Sequence, residues 1–370
     1  MKGDEKMKDI SIFILALGSF KGIGPVKVQA ALKELSEMQD KLDYIHLTNI
    51  KEKKVKQLVD NEIINKLSWL EAKEKAKEQL ITAEEQGISV INFKEKQYPQ
   101  NFLRQKKYPL IIYVKGNISI LNNEKTVAII GTRKPTNLGG AFNQRISEYF
   151  YNEGYTVVSG LAKGHDTYAH QVGVRTTGKT VAILAHGLDQ DIYPKENKQL
   201  ANDILEANGT WLSTYPLGQK MLPQYLAARD EWQTSMSDGV IAVETGVNGG
   251  TNHALNHALK QGKPVGMLDH NKCMEYVVND KFKNEDYEKR KKEYIKLIKE
   301  LQRYEQIYGN YERIEKKEVT PLYKKEEYPA FNRALQKYHN KEYSRETKDN
   351  EKNSKSKQPQ SRTEQVGFEF

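Results

Sequence analysis

Short apolar segments alternate with helix-length amphipathic segments between residues 95 and 270. We predict strands at 127–131, 156–159, 181–185, 211–213, 240–244 and 265–268. Strands that are apolar on both faces and separated by helices are typical of a parallel sheet that helices cover on both sides. The sequence therefore predicts an α/β fold with a Rossmann-like, doubly wound and mainly parallel sheet.

The regions on either side of this segment have a different character. Residues 1–90 are predicted as a small helical domain, in which Gly22, Gly24 and Pro25 indicate a tight turn and a helix start. This turn resembles a helix-hairpin-helix unit, and an ordinary packing turn is the alternative. For residues 271–340 we predict a charged helical extension, with a long helix near 285–308, and for residues 341–370 a disordered tail.

Composition narrows the classes of partner. The 370 residues include 58 Lys and Arg against 49 Asp and Glu, a formal net charge of +9, which favours an anionic partner such as nucleic acid. Cys273 is the single cysteine, so neither a disulfide framework nor a cysteine-based zinc site is expected. No apolar run reaches the roughly 20 residues that cross a bilayer. We expect a cytoplasmic protein without a membrane partner.

The residues that follow each strand are candidate ligand contacts, because open parallel sheets bind ligands at the carboxyl ends of their strands. Glycine, hydroxyl and basic residues ahead of a helix are typical of phosphate binding. The candidates are Gly131, Thr132, Arg133 and Lys134; Ser159, Gly160, Lys163, Gly164 and Asp166, the last placed to cap the next helix; Gly187; and Gly249, Gly250 and Thr251. This pattern predicts phosphate, in a nucleotide or in a nucleic acid strand.

Other chemistries have weaker support. The first loop is not GxGxxG and no acidic residue ends the second strand, so we predict no nicotinamide or other cofactor. Ser159, His170 and Asp166 supply the residue types of a hydrolase triad, but Ser159 lacks the G-x-S-x-G setting. His253 and His257 lack the carboxylate of an H-E-x-x-H motif. We therefore predict no metal site and no catalytic residue.

A series of motifs then points to one family. In chain order they are YPLIIYVKGN, VAIIGTRKPT, VVSGLAKGHDTYAH, VAILAHGLDQDIYPKEN, LSTYPLG, SDGVIAVE and NGGTNHAL. Through their order and spacing, the middle of the chain resembles the DNA-processing protein A (DprA/Smf) family, as a divergent member of the Smf/DprA–LOG superfamily. The resemblance implies a Rossmann-like homodimer that binds single-stranded DNA and loads a RecA-type recombinase, as in competence and transformation, without catalytic turnover.

The resemblance also implies roles for particular residues. Phosphate contacts fall to Arg133, to Lys163 with its loop and to the glycine-rich loop at 249–251, and Tyr193 is the candidate for base stacking. The family's Arg-Asn-Arg segment corresponds here to Arg229, Asp230 and Glu231, so that one arginine survives and the position of the other is acidic. This departure removes a phosphate contact and adds negative charge. The family's C-terminal winged helix is not evident.

Two alternatives remain open within the same superfamily: a nucleotide-binding sensor and a nucleotide-processing enzyme related to phosphoribohydrolases. Arg229 and the glycine-rich loop suit such an enzyme, but Glu244 is the nearest carboxylate available to it. Residues 365–370, QVGFEF, loosely resemble a sliding-clamp peptide. Roles in transformation, in plasmid transfer and in phage replication are all compatible with the sequence.

Overall fold

The computed structural model describes residues 2–36 and 42–355 of the chain. Its strands are β1 (Ser89–Asn92), β2 (Ile111–Gly116), β3 (Thr126–Ile130), β4 (Thr156–Ser159), β5 (Thr180–Leu184), β6 (Thr210–Ser213), β7 (Val240–Ala242), β8 (Val265–Leu268) and β9 (Thr320–Leu322). They form one sheet in the order β1-β2-β6-β5-β4-β3-β7-β8-β9. Every pair from β6 to β9 is parallel, whereas β2 pairs antiparallel with both β1 and β6.

Helices connect these strands and cover the sheet. They are α1 (Lys2–Gly18), α2 (Pro25–Ser36), α3 (Tyr44–Leu47), α4 (Lys53–Asp60), α5 (Lys66–Glu85), α6 (Gln100–Leu103), α7 (Asn137–Asn152), α8 (His165–Arg175), α9 (Lys198–Glu206), α10 (Pro223–Ser235), α11 (Thr251–Lys260), α12 (His270–Lys281), α13 (Tyr287–Leu301), α14 (Tyr308–Glu315) and α15 (Tyr328–Lys355). In the part of the chain that the structure describes, no helix is both long and apolar enough to pass through a membrane.

The predicted fold class is confirmed. All six predicted strands are present, as β3, β4, β5, β6, β7 and β8. They could be predicted because they consist of buried residues, which show as apolar runs in the sequence. The sheet is wider than predicted, since β1, β2 and β9 also belong to it.

Strand β3 marks the point at which the direction of the chain across the sheet reverses. From β3 the chain moves outward through β4, β5 and β6, then returns to place β7 on the other side of β3, followed by β8 and β9. The loops after the neighbouring strands β3 and β7 therefore lead in opposite directions across the sheet. Such a topological switch point leaves a crevice at the carboxyl ends of the strands, and ligands of open α/β sheets bind there.

The N-terminal helices form a core with one end of the sheet. The side chains of Phe13 and Trp69 pack edge to face, with ring centroids 5.5 Å apart, between α1 and α5. Gly22 has a φ of +88°, and Pro25 begins α2, so the predicted tight turn and helix start are present. Whether this turn contacts a phosphate, as a helix-hairpin-helix does, stays a prediction.

The C-terminal region is more closely integrated than a charged extension. Strand β9 pairs with β8, and Phe331 and Leu335 of α15 are buried against the sheet. The predicted helix near 285–308 is shorter and corresponds to α13. The tail predicted for 341–370 begins inside α15, which runs to Lys355, and its remainder lies outside the described residues, as does the 365–370 motif.

We expect Phe331→Ala to destabilise the whole sheet. Phe331 is 2% exposed, packs on the ring of Phe150 and lies over Gly266 of β8. Truncating a buried aromatic side chain removes about 3–5 kcal/mol from the free energy of unfolding. Urea unfolding followed by circular dichroism measures this loss. Lys337→Ala, at an exposed position of the same helix, is the control and should change stability by less than about 0.5 kcal/mol. Equal stability of both variants would show that α15 is not part of the core.

Candidate functional site

A cavity of about 410 Å³ opens at the switch point, between the loops after β3 and β7. Its lining includes predicted site residues from four separate segments of the chain. These are Gly131, Thr132, Arg133, Lys134, Asp166, Arg229, Gly249, Gly250 and Thr251. Ser159, Gly160, Lys163, Gly164, Gly187 and Tyr193 do not line it.

The loop after β3 supplies the cations at the mouth of the cavity. A Cβ at Gly131 would lie 2.5 Å from the His165 ring, so only glycine permits this close approach. The next amide, that of Thr132, donates to the backbone oxygen of Glu244 at 2.8 Å. Arg133 and Lys134 are exposed, and within residues 2–36 and 42–355 neither side chain makes a hydrogen bond or ion pair. Two uncompensated cations therefore stand beside the crevice.

The loop after β7 supplies backbone amides. Gly250 is the N-cap of α11, and no side chain caps this helix. Among the described residues the amides of Gly250 and Thr251 have no acceptor. An open helix N-terminus combines free N–H groups with the positive end of the helix dipole, which favours an anion. The cavity therefore pairs an anion-accepting helix end with Arg133 and Lys134.

Arg229 lies on α10 at the inner wall, 5% exposed. Its Nη1 donates to the carbonyl of Gly160 at 2.8 Å, and its Nε and Nη2 donate to Asp230 Oδ1 at 3.2 and 2.9 Å. Burial acts to lower the pKa of Arg229, but Asp230 and Asp166 outweigh it, so the pKa is raised. A Cβ at Gly160 would lie 2.7 Å from the Arg229 Cζ. Gly160 thus makes room for a guanidinium that already has anionic neighbours.

The loop after β4 folds around Asp166 instead of forming an open phosphate cradle. The carboxylate of Asp166 accepts the amides of Gly160 and Ala162 at 3.1 and 3.2 Å, so the predicted cap of α8 is wrong. The N-cap is Gly164, with a φ of +82° and the Thr132 backbone oxygen 2.4 Å from where its Cβ would be. Burial raises the pKa of Asp166, and Arg229 partly opposes that shift.

The remaining predicted residues lie away from the cavity or have other partners. Ser159 is fully buried, and its hydroxyl donates to the carbonyl of Ile129. Lys163 is exposed and pairs with Glu196 at 2.6 Å. The amide of Gly187 donates a hydrogen bond to the carbonyl of Gln219. These contacts contradict direct phosphate binding by Ser159 and by the Gly187 amide.

Tyr193 is half-buried in the loop after β5. It lies close enough to Arg229 to contribute to the raised pKa of that residue. Two further tyrosines, Tyr215 and Tyr225, form a pair with ring centroids 4.3 Å apart and planes 31° apart. Tyr225 and Arg229 share a face of α10 because they are four residues apart. Sequence patterns did not single out this pair, because tyrosine is frequent throughout the chain.

Behind the cavity, Glu244 is fully buried in the loop that follows β7. Its carboxylate accepts the amide and hydroxyl of Thr136, and it pairs with Nε2 of His165 at 3.0 Å and Nε2 of His270 at 2.9 Å. The Asn143 amide donates to Nδ1 of His165, which places the His165 proton on Nε2. Burial acts to raise the pKa of Glu244, but hydrogen bonds from the two histidines outweigh it and lower the pKa to about 2.

These contacts bear on the enzymatic alternatives. Glu244 is the carboxylate that a phosphoribohydrolase-like enzyme would use. Its oxygens are already engaged in hydrogen bonds with Thr136 and the two histidines. The residue types of the hydrolase triad are not assembled either, because His170 Nδ1 pairs with Thr180 at 2.7 Å and Ser159 donates elsewhere. Within the described ranges, no group of three or more His, Cys, Asp or Glu is arranged to hold a metal ion.

The C-terminal region closes one side of the cavity, which sequence reasoning missed. Gln306 lines the cavity, and its side-chain amide donates to the carbonyl of Lys134 at 2.9 Å. Asn310 is buried and accepts the amide of Thr245 while donating to the carbonyls of Val243 and Leu268. No local pattern signals these contacts, since they join polar residues that are distant in sequence.

Comparisons with known proteins identify the relatives of this chain. The model of the family described as DNA recombination-mediator protein A matches residues 89–285. DNA processing protein DprA of Bacillus subtilis is 33% identical over 183 residues, which cover 49% of this chain and 60% of that protein. Protein Smf of Synechocystis is 30% identical over 239 residues, 62% of this chain and 57% of that protein. The chain thus spans about 60% of the length of these curated relatives.

Solved structures share the fold. DNA processing protein A of Streptococcus pneumoniae superposes with a TM-score of 0.56 and 24% identity, covering 70% of this chain and 86% of that one. The protein of the same name from Helicobacter pylori, described by its single-stranded DNA binding mode, gives a TM-score of 0.52 at 24% identity, covering 68% and 96%. At this identity the likeness establishes the architecture.

We expect Glu244→Gln to destabilise the protein by about 3 kcal/mol at pH 7, which corresponds to a pKa lowered from 4.5 to about 2. A carboxylate whose pKa is depressed in the folded state adds stability above its unfolded pKa and loses that contribution as the pH falls. The difference between wild type and variant should therefore shrink between pH 4.5 and about 2. Urea unfolding at a series of pH values measures it.

Glu206→Gln is the control for this experiment. Glu206 is exposed at the end of α9, and its substitution should change the free energy of unfolding by less than about 0.5 kcal/mol at any of these pH values. A Glu244→Gln variant that unfolds at the same urea concentration as wild type would contradict the anchoring role of the buried carboxylate.

Proposed function

We propose that this chain, which belongs to the DNA recombination-mediator protein A family, binds single-stranded DNA at the switch-point cavity and loads a RecA-type recombinase onto it. The observation that carries the proposal is the presence in one cavity of Arg133 and Lys134, which have no partner among the residues that the structure describes, and the uncapped N-terminus of α11. Phosphate is the anionic group of a nucleic acid that such a site recognises.

The distribution of charge in the cavity supports contact between the DNA backbone and the residues at the mouth of the cavity. Arg229 is offset by Asp166 and Asp230, so the inner wall carries no excess of positive charge. Arg133 and Lys134 at the mouth have no such partners among the described residues. We therefore assign strand phosphates to Arg133, Lys134 and the loop at Gly249, Gly250 and Thr251, with Lys163 nearby on the same edge of the sheet.

The size of the cavity favours a single strand over a duplex. A volume of about 410 Å³ is in the range of small-molecule pockets and has room for one nucleotide. A single strand can turn one base inward while its backbone follows the mouth, whereas a base in a duplex remains stacked and paired. Non-specific single-strand binding also uses aromatic rings, and Tyr193, Tyr215 and Tyr225 near Arg229 are the proposed stacking surface.

The finer parts of the proposal rest on family membership. Homodimer formation, RecA loading and the absence of catalysis are inferred from the resemblance to DNA-processing protein A, and the sealed position of Glu244 supports a binding role. A sliding-clamp contact through residues 365–370 concerns residues outside those described. The second candidate function, nucleotide binding, is favoured by two observations: the cavity is nucleotide-sized, and its inner wall is charge-balanced.

Fluorescence anisotropy with a labelled single strand and a duplex of equal length, across a salt series, tests the main proposal. We expect tighter binding of the single strand and affinity that falls steeply as salt rises, because phosphate contacts release counterions. Arg133→Ala and Lys134→Ala should each weaken binding and reduce the salt slope by about one.

Matched controls come from the opposite ends of two helices that begin at the cavity edge. Arg175 ends α8 and Lys260 ends α11, and both are exposed. Arg175→Ala and Lys260→Ala remove the same charges and should leave the affinity and the salt slope unchanged. Single-strand binding that is absent even at low salt would overturn the proposal, and binding of a mononucleotide in its place would support the second candidate.

A further inference from the structure

We infer that the inner wall of the switch-point cavity selects nucleobases that carry an exocyclic amino group, with Asp230 and Gln233 as the residues that determine this preference. The inference rests on the proposed function, because it names the kind of base that a bound strand turns inward. It follows from the hydrogen-bonding groups that the folded chain leaves unused at this wall.

Asp230 presents a free acceptor. Its Oδ1 accepts hydrogen bonds from Nε and Nη2 of Arg229 and from Nε2 of Gln233 at 3.0 Å. Its Oδ2 accepts none from the residues that the structure describes, and the side chain is 18% exposed and lines the cavity. One oxygen of this carboxylate therefore fixes the wall, while the other is available to a ligand.

Gln233 carries a second acceptor without a partner, buried beside Asp230. The side chain is 1% exposed, lines the same cavity, and commits its Nε2 to Asp230. A flipped amide would bring the Gln233 carbonyl against the Asp230 carboxylate, so the orientation is set by the network. Its Oε1 is buried without a hydrogen-bond partner in the described part of the chain. An unsatisfied buried carbonyl is costly, and a donor from a bound ligand would satisfy it.

Asp166 and Arg229 are the other charged residues of this wall. The carboxylate of Asp166 accepts two backbone amides, and three of the five N–H groups of Arg229 are directed to Asp230 and to the Gly160 carbonyl. A ligand that reaches Asp230 and Gln233 therefore meets acceptors there and needs N–H groups. This is the reverse of the mouth, where Arg133 and Lys134 require an anion.

Nucleobases differ in the groups they offer to such a wall. Cytosine, adenine and guanine carry exocyclic amino groups, and carboxylate or amide oxygens accept from them. Uracil and thymine present a carbonyl at the position where cytosine has its amino group, and this oxygen would face the Asp230 carboxylate. The wall therefore favours amino-bearing bases and disfavours uracil and thymine.

The test compares oligo-dC with oligo-dU of the same length, by anisotropy at one salt concentration and with the full chain. These strands share the same backbone and ring size and differ in the hydrogen-bonding groups of the base. We expect oligo-dC to bind about tenfold more tightly than oligo-dU, in the range of one good base contact. This comparison uses the wild-type protein and so does not depend on the folding of any variant.

Three substitutions assign the preference. Asp230→Asn removes the charge at the wall and should reduce the difference between oligo-dC and oligo-dU to less than about threefold. Glu231→Gln removes the same charge from the adjacent residue, which is exposed and does not line the cavity, and should keep the tenfold difference. Gln233→Leu, which deletes the unpaired carbonyl, should also reduce the difference.

Each other outcome has a distinct meaning. Equal binding of oligo-dC and oligo-dU by the wild type would overturn this inference and leave the proposed function intact. An Asp230→Asn variant that binds both strands more tightly by the same factor would mean that Asp230 only repels phosphate, which also overturns it. Binding of neither strand would instead remove the proposed function.

Discussion

The organisation of the switch point depends on one buried carboxylate. Glu244 lies two residues after β7 and receives hydrogen bonds from Thr136 at the start of α7, from His165 at the start of α8 and from His270 at the start of α12. A buried charge is tolerated when it is fully hydrogen-bonded, so the three helix starts are held at one point. Glycine at 139 follows from the same constraint, since a Cβ there would lie 2.2 Å from the carboxylate. The loops that form the cavity are thereby anchored to one buried carboxylate.

This anchoring separates structural groups from groups that are left for a ligand. Arg229 and Asp166 are residue types that often bind ligands, yet both have partners within the protein. Around the cavity, the groups without partners in the described ranges include the cations of Arg133 and Lys134 at the mouth, and Asp230 Oδ2 and the Gln233 carbonyl at the inner wall. Recognition is best sought among these unpaired groups, because the energy of a new contact is not offset by the loss of an existing one.

The sequence predicted the sheet and the edge that carries the site because both depend on local patterns. Buried strands show as apolar runs, and glycine or basic residues after them mark strand ends. It did not predict what each glycine accommodates: Gly131 and Gly160 make room for His165 and Arg229, not for a phosphate. It also missed Gln306 and Asn310, since their contacts link segments far apart in the chain. The helical start of the predicted tail was missed because charged residues of good helix propensity lack an apolar stripe.

The acidic departure beside Arg229 gains a physical meaning from this arrangement. In a site that held only phosphate, a carboxylate in contact with the arginine would weaken binding, because it cancels the charge that the phosphate needs. Here the carboxylate of Asp230 lies at the inner wall, while the uncompensated cations lie at the mouth. A nucleotide has the same division, with an anionic phosphate at one end and a base that bears N–H donors at the other. The distribution of charge along the cavity therefore matches a nucleotide unit of a strand better than it matches phosphate alone.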